Sequence, residues 1–347
     1  MSTIKATNFQ HASAANPAIV LAVDGSATAN VSAINGGPLA GFRNAIINGN
    51  FDHWQRGTSH ASLGYGSADR WYLNIIGSSC TMSRQAFTLG QTAVPDEPTY
   101  FCRAAVTSVA GANNITQFQH RIEDVRTFAG RQVTVSFWAK ADATKNIAVE
   151  LLQVFGTGGS PSTSINGIGT TKVSIGTDWQ KVTVTTTLPS ISSKVLGSDG
   201  NHQLQLNIWF DAGSSFNART DTLGHQSGTF DIAQVQVEPG PVATPFERRP
   251  IGTELSLCQR YYYKTDKALS ISAYASAANQ GAVTNLTHPV TMRAAPTVSA
   301  NYTIGLGSPT QGVPGTSAIY LSAALISSAA GYFSGAYAIG NEVSAEL

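Results

Sequence analysis

The sequence predicts an all-β protein: an N-terminal hairpin arm, a central β-sandwich and a small C-terminal β unit with one short helix. Three observations lead there. From residue 44 to about residue 248, apolar and polar residues alternate over runs of strand length. Clusters of Gly, Ser, Asn, Asp and Pro separate those runs, as tight turns require. Charged residues make up only 12% of the 347, against 42% hydrophobic, about half the charged share of an ordinary soluble domain. A surface carried by neutral polar groups suits short strands and turns, and suits a subunit that hides surface against partners.

Residues 1–43 form the predicted arm. Asp24-Gly25 follows the apolar run from Ala18 to Val23 and tolerates the positive φ values of a hairpin turn. Met1 to Asn16 is polar and irregular, and Gly36-Gly37-Pro38 breaks the pattern, so the arm needs a partner to order. The run from Ala18 to Val23 is too short to span a membrane and lacks the flanks of a signal peptide.

Residues 44–248 form the predicted sandwich. In QVTVSFWAK, Val133, Val135, Phe137 and Ala139 share one face, while Thr134, Ser136, Trp138 and Lys140 share the other. In HQLQLNIWF, Leu204, Leu206, Ile208 and Phe210 oppose Gln203, Gln205, Asn207 and Trp209. KVTVTTTL adds Val182, Val184, Thr186 and Leu188, and such runs build two packed sheets. In FDIAQVQVE the apolar set slips phase between Ile232 and Val235, which predicts a bulge. The proline-punctuated PFERRPIG sets a boundary near Pro250. Residues 249–347 are then the C-terminal β unit, opened by a helix on which Leu255, Cys258, Tyr261 and Tyr262 recur behind Thr253 as N-cap. Tyr261-Tyr262-Tyr263 could form a receptor-facing patch, but that spacing predicts that at least two of them pack against the preceding sandwich.

NAIINGNFDHWQRGTS, ADRWYL, FWAKAD, the run from Phe230 to Lys264, and HPVTMRAAPTV occur in that order. Together they resemble an arrangement in phage tail fibre and related virion proteins, over roughly Phe42 to Val298. The stretch from Ile4 to Val31 resembles virion-anchoring arms. The resemblance implies that the sandwich is a jelly roll akin to carbohydrate-binding modules, that the chain is a homotrimer, and that it sits on the virion tail after folding in the host cytoplasm. The arm would then dock on other tail or baseplate proteins. In carbohydrate-binding jelly rolls a structural calcium often lies between first and last strands. Here Asn48, Asn50, Asp52 and Asp231 offer oxygen ligands in comparable places; no other cofactor is expected.

Trp138 and Trp209 are the candidate glycan-binding aromatics, because an indole flanked by amides can stack on the apolar face of a sugar while its neighbours bond the hydroxyls. Gln205 and Asn207 would supply those bonds. The competing reading places both tryptophans in an interface between copies, which would make the protein a purely architectural capsid-decorating or tail-assembly subunit. A glycan depolymerase ranks lower: Asp96-Glu97 and Glu123-Asp124 are sequence neighbours, not carboxylates converging across a groove. No G-x-S-x-G frame is present, and GTGGSPS lacks the Lys of a phosphate-binding loop, so the chain is read as non-enzymatic. A formal charge of +1 with dispersed Lys and Arg excludes a phosphate-neutralising stripe, and with it nucleic acid. Cys80, Cys102 and Cys258 lie far apart without C-x-x-C spacing, and are read as buried small hydrophobes.

Overall fold

The computed structural model describes residues 8–9, 19–21, 23, 27–29, 41–265, 269–299, 302–304, 306–307, 310–311, 317–337 and 341–347. In the arm, Asn8–Phe9 (β1), Ile19–Leu21 (β2) and Ala27–Ala29 (β3) pair antiparallel in that order. Ile19 faces Ala29 and Leu21 faces Ala27, so the expected hairpin forms. Its Asp24-Gly25 turn lies outside the described residues.

The chain divides into two compact units, residues 1–52, 59–64 and 71–249, and residues 53–58, 65–70 and 250–347. The larger holds a β-sandwich of jelly-roll type. Its strands are Ser59–His60 (β4), Gly64–Tyr65 (β5), Trp71–Ile76 (β6), Ser79–Ala86 (β7), Tyr100–Thr107 (β8), Ile115–Glu123 (β9), Gln132–Ala141 (β10), Lys145–Val154 (β11), Ile165–Ile175 (β12), Gln180–Thr187 (β13), Gln203–Ala212 (β14) and Gly228–Pro239 (β15). The first sheet runs β13-β10-β15-β8-β7-β4 and the second β12-β11-β14-β9-β6-β5. From β8 onward the chain crosses repeatedly between the sheets, and seven of the ten neighbouring pairs within them join strands that are not consecutive in sequence, as a jelly roll requires.

The alternating apolar sets meet between the sheets. Val133, Val135, Phe137 and Ala139 are buried, as are Leu204, Leu206, Ile208 and Phe210, and Val182, Val184 and Leu188. An aromatic row links them: Phe51 to Trp71 at 5.1 Å, Trp71 to Phe118 at 6.4 Å, Phe118 to Phe210 at 4.9 Å and Phe210 to Phe230 at 5.0 Å. The Trp71 indole N–H donates to the Asn48 carbonyl at 3.1 Å, so its one polar atom is satisfied inside the core.

In the smaller unit the helix runs Ile251–Gln259 with Pro250 as N-cap. Thr253 therefore lies inside the first turn, because Pro is favoured at a helix start and fixes φ there. Beyond it come Tyr262–Lys264 (β16), Leu269–Ala275 (β17), Gly281–Thr287 (β18), Thr297–Ser299 (β19), Tyr302–Ile304 (β20), Thr310–Gln311 (β21), Tyr320–Ile326 (β22), Gly331–Tyr337 (β23) and Glu342–Ser344 (β24). They form three-stranded sheets ordered β16-β24-β19, β17-β23-β20 and β18-β22-β21. All three tyrosines turn inward: Arg70 lies over the Tyr261 ring and Arg56 over the Tyr262 ring, and the Tyr263 hydroxyl meets His288 Nδ1 at 2.6 Å. Both arginines also pair with Glu346.

Candidate functional site: a tryptophan-floored cleft

The first sheet carries a cleft of about 430 Å³ on its outer face. Its floor is Ser136 and Trp138 of β10, Lys181 of β13 and Gln234 of β15; its walls are Pro95-Asp96 and residues 243–246. Alternation along β10 turns Trp138 away from the core while Phe137 and Ala139 enter it. Lys181 sits directly opposite Trp138 in the β10–β13 register.

Gln234 reaches the cleft through the bulge. Ser136 faces Gln236, but Trp138 faces Ala233, so β15 carries one residue more than β10 over this step. Gln234 takes a left-handed φ of 49°, the conformation that lets the extra residue turn outward while Val235 re-enters the core. The phase slip in the sequence is this feature. Released from the ladder's alternation, the Gln234 amide donates to the Pro95 carbonyl at 2.8 Å and fixes the first wall. The Gln91 side chain grips Val94 from both its N–H and its carbonyl, and the Arg248 guanidinium donates to the Asp96 carbonyl.

The second wall is fastened to the same strand. The carboxylate of Glu238 is buried and accepts from the Thr244 N–H at 2.8 Å and the Thr244 hydroxyl at 2.7 Å. The Gln236 amide donates to Glu238 and to Thr244, and accepts from the Glu247 N–H. At one end the Thr134 hydroxyl holds the Gly240 carbonyl at 2.7 Å. Gln234, Gln236 and Glu238 therefore anchor both walls, and the cleft is set by the sandwich itself rather than by mobile loops.

Trp138 is half-buried, whereas Lys181 and Asp96 are exposed. Lys181 donates to the Thr244 carbonyl at 3.4 Å, and neither it nor Asp96 forms an ion pair among the described residues. An aromatic face, an ammonium donor and a carboxylate acceptor thus share one cavity. The sequence pointed to Trp138; it missed Lys181 and Gln234, and it weighed Asp96 only as one of two neighbouring carboxylates.

Trp209, Gln205 and Asn207 lie elsewhere, on β14 in the second sheet. Gln203 donates to Gln205 at 3.1 Å, Gln205 to Asn207 at 2.7 Å, and Asn207 to Glu150 at 2.8 Å. The amide ladder ends on a buried carboxylate that also accepts from Trp209 Nε1, from both nitrogens of the Arg219 fork and from the Gly167 N–H. Trp209 is fully buried, with the Phe216 ring at 5.4 Å and the Arg219 guanidinium over it at 5.2 Å. Its indole is engaged in packing, and Gln205 and Asn207 are engaged with one another. The structure does not bring Trp138 and Trp209 together.

Three of the four oxygen-bearing residues weighed for calcium are bonded to other side chains. Both Asp231 oxygens meet the Arg103 guanidinium, at 2.7 and 2.8 Å, with Lys140 at 3.7 Å. Asn50 donates to Asp52 at 2.9 Å. The Val235 N–H, four residues along β15 from Asp231, donates to the Gly49 carbonyl at 2.9 Å. Among the described residues no group of three or more His, Cys, Asp or Glu is placed to hold a metal.

Ser108, His225 and Asp211 do come together, but not as a hydrolase triad. His225 Nδ1 faces both Asp211, at 2.9 Å, and the Ser108 hydroxyl, at 3.2 Å, while Nε2 meets the Gly111 carbonyl at 3.0 Å. A triad needs serine and acid on opposite ring nitrogens, so this group clamps loops.

Neither a protein-family model nor a curated protein matches the chain. Solved structures do. A structure described as "CBM4 structure and function" matches at 19% identity and TM-score 0.31 over 56% of this chain and 99% of its own. A structure described as that of "a putative sugar binding protein from Bacteroides thetaiotaomicron VPI-5482" matches at 15% identity and TM-score 0.36, over 57% of this chain and 100% of its own. The enzymatically active domain of tailspike protein 4 of bacteriophage CBA120 matches at 14% identity and TM-score 0.35, over 59% of this chain and 22% of that one.

Proposed function

We propose that the chain is a non-enzymatic virion protein of the phage tail, a fibre or related adsorption protein, whose sandwich holds a host-surface glycan in the Trp138 cleft. The observation that carries this reading is the half-buried Trp138 ring on the floor of a preformed cavity beside Lys181, Gln234 and Asp96. Such a site stacks a sugar ring and bonds its hydroxyls without first having to order its walls. Of the cleft's lining residues only Asp96 is acidic, whereas glycoside hydrolysis takes a pair of carboxyl groups; this supports binding without cleavage. In this reading the arm docks on tail or baseplate proteins and the chain assembles as a homotrimer. One weak contact per subunit then gains effective concentration when several engage the same cell.

The test is a glycan array and host-cell adsorption assay on the purified protein, comparing wild type with Trp138→Ala after checking that fold and oligomeric state match. The expected outcome is glycan binding by wild type weakened at least about tenfold in the variant, the loss of about 1.4 kcal/mol. Absence of wild-type binding would favour the architectural reading, in which the face is covered by another subunit.

A further inference from the structure

Resting on the homotrimer in that reading, we infer that its copies meet through two uncharged sheet faces of the smaller unit, the β17–β23 face of one copy against the β18–β22 face of the next. Composition points there first. Between Lys267 and Asn341 the single charged residue is Arg293, whereas about a quarter of the residues of an ordinary soluble domain are charged. Arg293 is turned to the unit's own chain, donating to the carbonyls of Ala345 and Glu346. Strands β17, β18 and β20 to β23 therefore carry no charge on either side.

Those strands enclose a small core. Ile271 and Ala275 of β17, Phe333 of β23 and Leu325 of β22 are buried together, with Ala282 and Leu286 of β18 half-buried against them. Alternation sends the residues between them outward. On one sheet Tyr274 and Tyr332 pair in register with their rings 5.2 Å apart, 64% and 75% exposed, beside exposed Ser270 and Ser272. On the other, Val283, Tyr320 and Ile326 are exposed together with Asn285 and Thr287. So small a core leaves the sheets short of burial, and aromatic and aliphatic groups without charge are the composition of an interface centre rather than of a solvated face. A charged partner would find nothing to pair with there, and Val283 and Ile326 offer a sugar no ring to stack on. A copy of the chain brings an equally uncharged face. Because the two faces differ, each copy gives one and receives the other, a heterologous contact that covers both when it closes into a ring.

Light scattering and sedimentation of the purified full chain, from about 0.1 to about 100 µM, test this. Wild type should assemble. Tyr332→Lys and Val283→Lys, both at exposed positions, should each raise the concentration of half-assembly at least about tenfold, because each buries an unpaired ammonium in the contact. Leu89→Lys, the same change at an exposed position of the larger unit, should leave it unchanged. Should a lysine unfold the unit, Tyr332→Ser and Val283→Ser, which remove the apolar group without adding charge, decide in its place, with an expected weakening of at least about threefold. Assembly indifferent to both faces, or sensitive to only one, overturns the inference while leaving the homotrimer intact, as does assembly weakened equally by Leu89→Lys. A wild type that stays monomeric throughout overturns both, whatever else covers the faces, and leaves the glycan reading to its own test.

Discussion

Glu150 illustrates how a single residue organises the sandwich. Its carboxylate is fully buried on β11, opposite Asn207 in register, and it gathers the donors of Asn207, Trp209, Arg219 and Gly167. Because each amide of the ladder donates toward it, the carboxylate also fixes which way Gln203, Gln205 and Asn207 are turned. Glu150→Ala leaves the buried Asn207 and Trp209 donors unpaired beside a part-exposed Arg219 guanidinium, so a loss of about 1–3 kcal/mol is expected in urea denaturation; a loss under about 1 kcal/mol would show that the ladder re-forms without it. The three thiols make a second case. All are buried and free, and burial pushes the Cys80 thiol up to about 12 and raises those of Cys102 and Cys258 well above the ordinary thiol value. Their folded pKa values lie above the ordinary thiol value, so the unfolded chain sheds these protons first as pH rises. Stability is therefore expected to be intact below about pH 9 and to fall from there toward pH 12, with thiol-reactive dye labelling all three cysteines only after denaturation.

At the scale of elements, strand β15 connects fold to site. Its bulge turns Gln234 outward, and Gln236 and Glu238 carry the second wall. Glu238→Ala removes no atom from the cleft's lining, yet it should loosen residues 240–247, seen as faster amide hydrogen exchange there, and weaken glycan binding in step. Unchanged exchange would mean that the bonds of Gln236 to Thr244 and Glu247 suffice. The bulge was legible in FDIAQVQVE, because a period-2 pattern that slips can stay in register only by adding a residue. The core faces of β10, β13 and β14 were legible for the same reason. The cleft's walls were not: Pro95 meets a strand residue 139 positions away, and pairings across a jelly roll leave no local trace in the sequence. The burial of Trp209 was hidden similarly, since Phe216, Arg219 and Glu150 reach it from separate segments. The helix start was displaced because Pro250 outcompetes Thr253 as its boundary.

Across the whole molecule, the chain does not separate into consecutive pieces. Residues 53–58 and 65–70 belong with residues 250–347: Arg56 and Arg70 stack on Tyr262 and Tyr261 and pair with Glu346, and Gln55 bonds both Asp69 and the Tyr262 carbonyl. The motif NAIINGNFDHWQRGTS thus supplies Phe51 to the sandwich core and Arg56 to the smaller unit. A fragment of residues 250–347 alone lacks those partners and is expected to show no cooperative thermal transition, whereas the full chain does; a folded fragment would contradict this. The central claim concerns Trp138, and the five tryptophans allow it to be read directly. In a nitrogen-15 NMR titration of tryptophan-labelled protein with the strongest array glycan, the Trp138 indole N–H is expected to shift. The indoles of Trp71 and Trp209, bonded to Asn48 and Glu150, should stay in place. A shift at Trp209 with none at Trp138 would move the site to the second sheet and contradict the assignment of the cleft.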